Sequence, residues 1–331
     1  MLSPEGRGND KLGCTRLGEG NNEWRSPQRG VRQIPVALPF NGMHSEWRLN
    51  GVMPLALLDD WIRAALREDL GTGDVTTEIL LPQDRKARAF LVAKEPFLVA
   101  GLGVSLRVFE ILCSDLVCLS RVADGDCVLK GSILLEMEGS LRALLSGERV
   151  SLNILQHLSG VATLTRRFVD AVKGTGAKIL DTRKTLPGLR SLEKYAVRVG
   201  GGSNHRSSLS EGILIKENHI LACGGIGNAV RRAREGAPHC LRVEVEATTL
   251  EEVREAMGAG AETILLDNMS LETIRSAVRL VAGSARLEVS GGVTLENVRA
   301  IAETGVDWIS VGSLTHSASG MDISMLMRED G

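Results

Sequence analysis

The chain has 331 residues, with 39 Lys+Arg against 41 Asp+Glu and a formal charge of -2. That size supports a large core, and that balance argues against a general polyphosphate partner such as nucleic acid. Four Trp, one Tyr and five Phe are too few for base-stacking platforms, whereas 37 glycines, about 11% of the chain against an average near 7%, point to turns and close backbone approaches. Cys14, Cys113, Cys118, Cys127, Cys223 and Cys240 make no CxxC pair and no Cys/His ligand spacing, so they read as reduced thiols of a cytoplasmic protein. Lys94, Glu95 and Arg107 break the most apolar stretch, 90–109, so no membrane span is expected.

In chain order, residues 1–52 scatter Gly, Asn, Pro and Arg among isolated apolar residues without periodicity and are expected to be a disordered extension. Glu5, Asp10, Glu19, Glu23 and Glu46 argue against a transit peptide, and Met43 or Met53 could equally serve as the start. Leu58, Trp61, Ile62, Ala65 and Leu66 then share one face of a helix ending near Gly71. Extended runs at 87–94, 127–129 and 133–138, separated by turns such as Asp124-Gly125-Asp126, predict a small α+β layer. A long helix over 145–172 carries Arg149, Asn153 and His157.

Beyond it the sequence repeats. Short apolar runs at 178–181, 213–216, 241–246, 263–267, 286–290 and 307–312 each end in polar or small residues. From Glu246 to Asp267, Ser290 and Gly312 the spacings are 21, 23 and 22 residues, with amphipathic helices predicted at 250–257, 271–281 and 295–304 between them. Serial βα units close most naturally into a barrel whose reactive groups sit at the carboxyl ends of the strands; a doubly wound open sheet is the alternative.

Those strand ends are chemically loaded. Segment 183–206 holds Arg183, Lys184, Arg190, Lys194, Arg198 and Arg206 against Glu193 alone, a local charge of +5. Lys194 and Arg198 fit a solvated helix face, whereas Arg183-Lys184 and His205-Arg206 flank the loop signals Pro187-Gly188 and Gly200-Gly201-Gly202. Guanidinium forks match carboxylate and phosphate oxygens two at a time, so a dense anion is the implied ligand. Ser290-Gly291-Gly292 and Gly312-Ser313 each follow a strand and open a helix, a pattern that serves either as a tight βα turn or as a phosphate cradle. Glu246 and Asp267 are strand-end carboxylates facing this cationic rim, suited to acid/base work, to Mg²⁺ beside substrate phosphates, or to an ion pair with Lys216 or Arg183. The residues alone thus describe a barrel enzyme that binds a phosphorylated sugar and a second anion, with Mg²⁺.

The motifs DLGTGDVTT at 69–77, ERVSLN at 148–153, LDTRKTLPGLRSLEKYAVRVGGGSNHR at 180–206, LIKENHI at 214–220, VSGG at 289–292 and VGSLTHS at 311–317 together resemble the quinolinate phosphoribosyltransferase family, the decarboxylating nicotinate-nucleotide pyrophosphorylases of NAD biosynthesis. The resemblance covers roughly residues 54–328. It implies the type II phosphoribosyltransferase architecture: an α/β sandwich domain over 53–148, completed by 318–331, and an incomplete β/α barrel of the seven-stranded type over 149–317. It also implies a homodimer with a shared site, in some relatives a hexamer, that turns quinolinate and phosphoribosyl pyrophosphate into nicotinate mononucleotide, pyrophosphate and CO₂. Carried onto matching positions, Arg149 of a neighbouring subunit, Thr182, Arg183, Lys184, His205, Arg206 and Lys216 would hold the substrate carboxylates and pyrophosphate. Glu246 and Asp267 would face the ribose and Mg²⁺, and Ser290, Gly291, Gly292, Val311, Gly312 and Ser313 would cradle the 5′-phosphate. By the same resemblance Lys184, Lys216, Glu246 and Asp267 would form the catalytic set. Leu186, Val199 and Ser208 depart from the family pattern, where Thr, Cys and Gly are frequent. A related branch associated with molybdenum transport shares much of the motif with a different acceptor, and a non-catalytic anion-binding barrel is the third reading.

Overall fold

A computed structural model describes residues 54–328, so the expected disorder of 1–52 lies outside the described residues. The chain divides into two compact units, one running to Thr163 and resumed from Ser319, the other spanning Leu164–Ala318.

The first unit opens with helix α1 (Leu55–Leu70), which buries Leu58, Ile62 and Leu66 on the face that the apolar spacing predicts. Gly71 ends it at φ 55°, its N–H donating to the Arg67 carbonyl at 3.1 Å. The short α2 (Val75–Leu80) starts where the Asp74 carboxylate accepts the Thr77 N–H at 3.0 Å. Strand β1 (Lys86–Ala93) is followed by β2 (Phe97–Leu98) and α3 (Leu102–Leu112). The Asp124 carboxylate accepts the Gly101 and Leu102 N–H groups at 2.8 and 3.0 Å, serving α3 as a cap from a distant loop. Strands β3 (Val117–Ser120), β4 (Cys127–Val128) and β5 (Ile133–Ser140) complete the series. β1 lies between β5 and the C-terminal strand Ile323–Arg328, both antiparallel, while β3 flanks β5 and β2 pairs with β4. Leu91, Phe97, Leu102, Phe109, Leu134 and Met137 are among the apolar side chains buried in its core.

Helix α4 (Leu141–Ala171), 31 residues long, carries the chain across the boundary between the units. The boundary expected at 148/149 lies on this same helix. Gly160 accommodates the returning C-terminal segment, since a Cβ there would overlap the Ser319 carbonyl.

In the second unit the elements are β6 (Lys178–Leu180), α5 (Arg190–Val199), β7 (Ile213–Ile215), α6 (Glu217–Cys223), α7 (Ile226–Gly236), β8 (Val243–Ala247), α8 (Leu250–Gly258), β9 (Thr263–Asp267), α9 (Leu271–Val281), β10 (Arg286–Ser290), α10 (Val298–Ala302), β11 (Trp308–Ser310) and α11 (Ser313–His316). The last strand, Ile323–Arg328, is β12 and belongs to the first unit. Thr249 and Glu252 form a reciprocal capping box at α8, and Ser270 caps α9. The parallel sheet runs β6-β11-β10-β9-β8-β7. Sequential strands are neighbours and the first pairs with the last, which is barrel order and rules out the doubly wound sheet. Six strands form the wall. The seventh position is a single rung: Ser203 bridges Leu180 on the free edge of β6, with its N–H donating to the Ile179 carbonyl at 2.8 Å. Between Ser203 and β7 the ring is not closed by strand pairing.

Candidate active site

Strand register fixes which side chains share the barrel interior. Glu244 and Glu246 stand opposite Thr263 and Leu265; Leu265 stands opposite Glu288, and Asp267 opposite Ser290. Same-register neighbours on parallel strands face the same way and alternate with period two. Glu244, Glu246, Asp267, Glu288 and Ser290 therefore all face the same side, with Glu246 level with Glu288 through Leu265 and Asp267 level with Ser290. Glu246, Asp267 and Ser290 stand at the carboxyl ends of their strands, whereas Glu244 and Glu288 each lie two residues earlier on β8 and β10, at positions that barrels usually fill with bulky aliphatic residues.

The loop after β6 brings the expected cations to this rim. Lys184 donates its backbone N–H to Thr182 Oγ1 at 3.0 Å, and Thr315 Oγ1 donates to the Lys184 carbonyl at 2.7 Å. Its side-chain stem passes close over Gly312, where a Cβ would stand 3.0 Å from Lys184 Cδ, so a lysine and a glycine loop share one corner. Arg190 fastens the loop from α5, its guanidinium donating to Thr185 Oγ1 at 2.9 Å and the Ser207 carbonyl at 3.0 Å.

Arg183 and Arg206 are adjacent. Burial, and then the field of Arg183, hold the Arg206 guanidinium below its ordinary value, with Glu244 and Glu246 opposing. Arg206 Nη1 donates to the Gly212 carbonyl at 2.8 Å, yet the Nε–H groups of both arginines are buried with no partner. A buried donor left unmade costs about 1–3 kcal/mol, so two adjacent ones describe a place shaped for an anion.

Lys216, exposed at the end of β7, donates to Glu246 Oε1 at 2.8 Å. The ion pair weighed for Glu246 is thus formed, and it is with Lys216. Asp267, at the end of β9, accepts from Asn268 Nδ2 at 3.0 Å. Asn268 adopts φ 50° and its N–H donates to the Ser290 carbonyl at 3.0 Å. Gly291, at φ 90°, lies against that amide, and a Cβ there would overlap it. Glu246 and Asp267 offer oxygen donors only, a set that suits Mg²⁺. Val311 donates its N–H to the Leu180 carbonyl at 2.9 Å and leads into Gly312-Ser313, which opens α11 as expected. Ser290-Gly291-Gly292 does not open a helix: α10 begins only at Val298, because Gly291 and Gly292 both take positive φ and Asn297 Nδ2 donates back to the Gly292 carbonyl. Arg149 is exposed on α4 in the first unit, while every other predicted site residue is in the second.

The placement of Lys194 on a solvated face is corrected. Its side chain is 3% exposed and its Nζ donates to Asp181 Oδ1 at 2.5 Å and to the His205 carbonyl at 2.9 Å. Asp181, fully buried, also accepts from the His205 N–H at 2.8 Å and Asn204 Nδ2 at 2.5 Å. Burial raises the Asp181 carboxyl, with Lys194 the largest opposing influence. Arg198 is exposed as expected and donates to Asn204 Oδ1 at 2.8 Å.

His205 reaches inward. Its Nδ1 accepts the Arg206 N–H at 2.8 Å, which places the ring proton on Nε2, 3.1 Å from Glu244 Oε2 and 3.6 Å from Glu288 Oε1. Ser310 Oγ donates to Glu288 Oε1. Burial and the neighbouring Glu244 push the Glu288 carboxyl up to about 7. Burial favours neutral His205, but the hydrogen bond to Glu244 and the field of Glu288 outweigh it and raise the ring. Among the described residues these three are the group of potential metal ligands lying close together. Sequence reasoning missed Glu244 and Glu288; the available signal was their position two residues before the rim residues Glu246 and Ser290.

A parallel β/α barrel whose strand ends collect two adjacent guanidiniums with unpartnered Nε–H groups, lysines, two carboxylates and glycine loops defines an anion-binding barrel protein. The C-terminal domain of quinolinate phosphoribosyl transferase matches residues 161–326 and its N-terminal domain residues 74–159. The chain is 47% identical over 258 residues to the probable carboxylating nicotinate-nucleotide pyrophosphorylase of Bacillus subtilis, covering 78% of this chain and 89% of the relative. It is 46% identical over 272 residues to the carboxylating enzyme of that name from Mycobacterium leprae, covering 80% and 95%. The solved nicotinate-nucleotide pyrophosphorylase of Francisella tularensis superposes with a TM-score of 0.80 at 39% identity, over 83% of this chain and 98% of that one. NadC from Streptococcus pyogenes does so at 0.80 and 43%, over 84% and 99%. The chain belongs to the quinolinate phosphoribosyl transferase family.

Proposed function

We infer that this chain is an enzyme of NAD biosynthesis that transfers a phosphoribosyl group to quinolinate with loss of CO₂. The carrying observation is the pair of adjacent, buried and unpartnered Nε–H groups of Arg183 and Arg206, set in a locally cationic rim. Quinolinate brings two ring carboxylates, and phosphoribosyl pyrophosphate brings a 5′-phosphate and a pyrophosphate. Their mutual repulsion must be offset by fixed cations before the ring nitrogen can approach C1.

In this reading Thr182, Arg183, His205, Arg206 and Arg149 of the partner subunit surround the dicarboxylate. Lys184 and Lys216 serve the pyrophosphate side, and Ser290, Gly291, Gly292, Val311, Gly312 and Ser313 receive the 5′-phosphate. Glu246 and Asp267 face the ribose hydroxyls and stabilise positive charge as the C1–pyrophosphate bond breaks. The same two carboxylates would hold Mg²⁺, which would supply charge neutralisation at the pyrophosphate leaving group. The ring nitrogen's lone pair forms the new bond to C1 and pyrophosphate departs. The carboxylate beside the alkylated nitrogen then leaves as CO₂, its bonding pair stays on the ring carbon next to the cationic nitrogen, and a proton replaces it.

We further place the protein in the cytoplasm as a homodimer, and in larger assemblies such as a hexamer, with quinolinate and phosphoribosyl pyrophosphate as its partners. The described cysteines are all unbridged, and no described helix is long and apolar enough to cross a membrane. The test is incubation of purified protein with phosphoribosyl pyrophosphate, Mg²⁺ and either quinolinate or nicotinate, following CO₂ and mononucleotide. Turnover with quinolinate supports the reading; folded protein inert towards quinolinate rejects it.

A further inference from the structure

The barrel interior beneath the rim holds a second polar cluster that the proposed chemistry does not use. Glu288 is 1% exposed, and its Oε2 and Glu244 Oε1 are buried without a partner. Two carboxyl groups at this depth are costly unless something organises them. What they organise is His205: Glu244 Oε2 receives Nε2–H at 3.1 Å, Glu288 Oε1 lies 3.6 Å from the same nitrogen, and Ser310 holds Glu288 in place. Every polar atom of His205 is then engaged, since Asp181 takes its N–H, Lys194 donates to its carbonyl, and Nδ1 accepts the Arg206 N–H. A ring gripped on both nitrogens fixes the peptide that follows it, and that peptide launches the Arg206 side chain, one of the two whose Nε–H has no partner.

We propose that Glu244 and Glu288 are positioning residues for the acceptor half of the site: Glu244 through its hydrogen bond to His205, and Glu288, held by Ser310, through its charge beside the same ring nitrogen, set the backbone of Arg206 and so aim its guanidinium at the dicarboxylate. The need for such a device follows from the fold. Residues 204–206 stand where the barrel has one bridge rung instead of a strand, so no ladder of backbone hydrogen bonds locates Arg206. The interior carboxylates replace that ladder with side-chain contacts. Glu246 and Asp267, at the carboxyl ends of β8 and β9, serve the donor half and are not part of the linkage.

This rests on the assignment of quinolinate to the Arg183–Arg206 corner, and the wild-type assay separates the two: no turnover by wild type defeats the assignment, whereas an active wild type leaves only the linkage in question. The variants are Glu244→Leu, Glu288→Leu, Glu244→Gln and Glu288→Gln, with Arg206→Ala as reference. For the leucine variants the KM for quinolinate should rise about tenfold or more, the size expected for one misdirected charged hydrogen bond, while the KM for phosphoribosyl pyrophosphate stays within about twofold. Glu288→Gln, which keeps the shape and a carbonyl oxygen for Ser310, should restore the quinolinate KM to within about threefold of wild type. Glu244→Leu added to Arg206→Ala should change little further, because both act through one side chain. If a leucine variant does not fold, Glu244→Gln read by calorimetric quinolinate affinity replaces it, with a several-fold loss expected. Folded variants with unchanged quinolinate KM, equal losses on both substrates, or full additivity with Arg206→Ala would each overturn the proposal.

Discussion

Replacing Lys194 with methionine tests how the catalytic loop is held. The substitution keeps most of the side-chain volume but removes the cation 2.5 Å from Asp181 Oδ1, at a site where the two side chains are 3% and 0% exposed. Breaking one partner of a buried pair typically costs about 3–5 kcal/mol, because a charge is left without compensation. Asp181 keeps the His205 N–H and Asn204, and burial already pushes its carboxyl above the usual carboxylate range, so removing Lys194 drives it further towards the protonated form. Neutralisation caps the loss at the lower end, near 3 kcal/mol at neutral pH, and makes it grow as pH rises, since the unfolded chain gives up that proton more readily than the folded one. For a unit of this size the change amounts to a fall in melting temperature of roughly 6–12 °C. Thermal and urea unfolding of wild type, Lys194→Met and Lys194→Met/Asp181→Asn at pH 6 and pH 8 measure it, and the double variant should recover part of the loss. A cost below about 1 kcal/mol, unchanged between the two pH values, would refute the view that this ion pair anchors the loop.

Other outcomes follow from the same geometry. Arg206→Lys loses the planar fork and should raise the quinolinate KM about 10- to 100-fold, as read by initial rates. Gly291→Ala drives a methyl group into the Asn268 amide at φ 90°, and should weaken phosphoribosyl pyrophosphate binding about tenfold or more with little change for quinolinate, by steady-state kinetics. The Glu288 carboxyl has its folded-state pKa pushed up to about 7, so its contribution is fully present below its ordinary value of 4.5 and is lost as pH rises through about 7; the stability of wild type minus that of Glu288→Gln should fall between pH 5 and pH 8, by denaturant titration. Mixing inactive Arg149→Ala and Lys184→Ala chains should restore activity after confirmed subunit exchange if Arg149 of the partner subunit completes the site.

Much of the second unit was legible because its signal is local. Repeated apolar runs with a polar residue at each end gave the strands, and intervening amphipathic stretches gave α8 and α9 at nearly their observed bounds. What escaped depended on partners distant in sequence. Lys194 lies on α5, where a lysine ordinarily reaches solvent; Asp181, thirteen residues earlier, and the His205 carbonyl turn it inward. Glu244 and Glu288 were passed over because a charged residue inside a barrel strand contradicts the apolar pattern, and His205 and Ser310, which make it tolerable, come from other elements. The helix expected at 295 starts later because the two positive-φ glycines and the Asn297 turn extend the loop.

The unpaired seam between Ser203 and β7 also bears on how the chain behaves among other chains. Open strand edges are templates on which foreign segments can add, and they are a recognised route to aggregation. Here β6 and β7, the strands bordering the seam, are three residues each, and Ser203 already occupies part of the β6 edge. So short a stretch of free backbone offers an incoming strand too few hydrogen bonds to offset its ordering. The barrel thus leaves its wall open where the cationic loop needs room without presenting an edge on which another chain could grow.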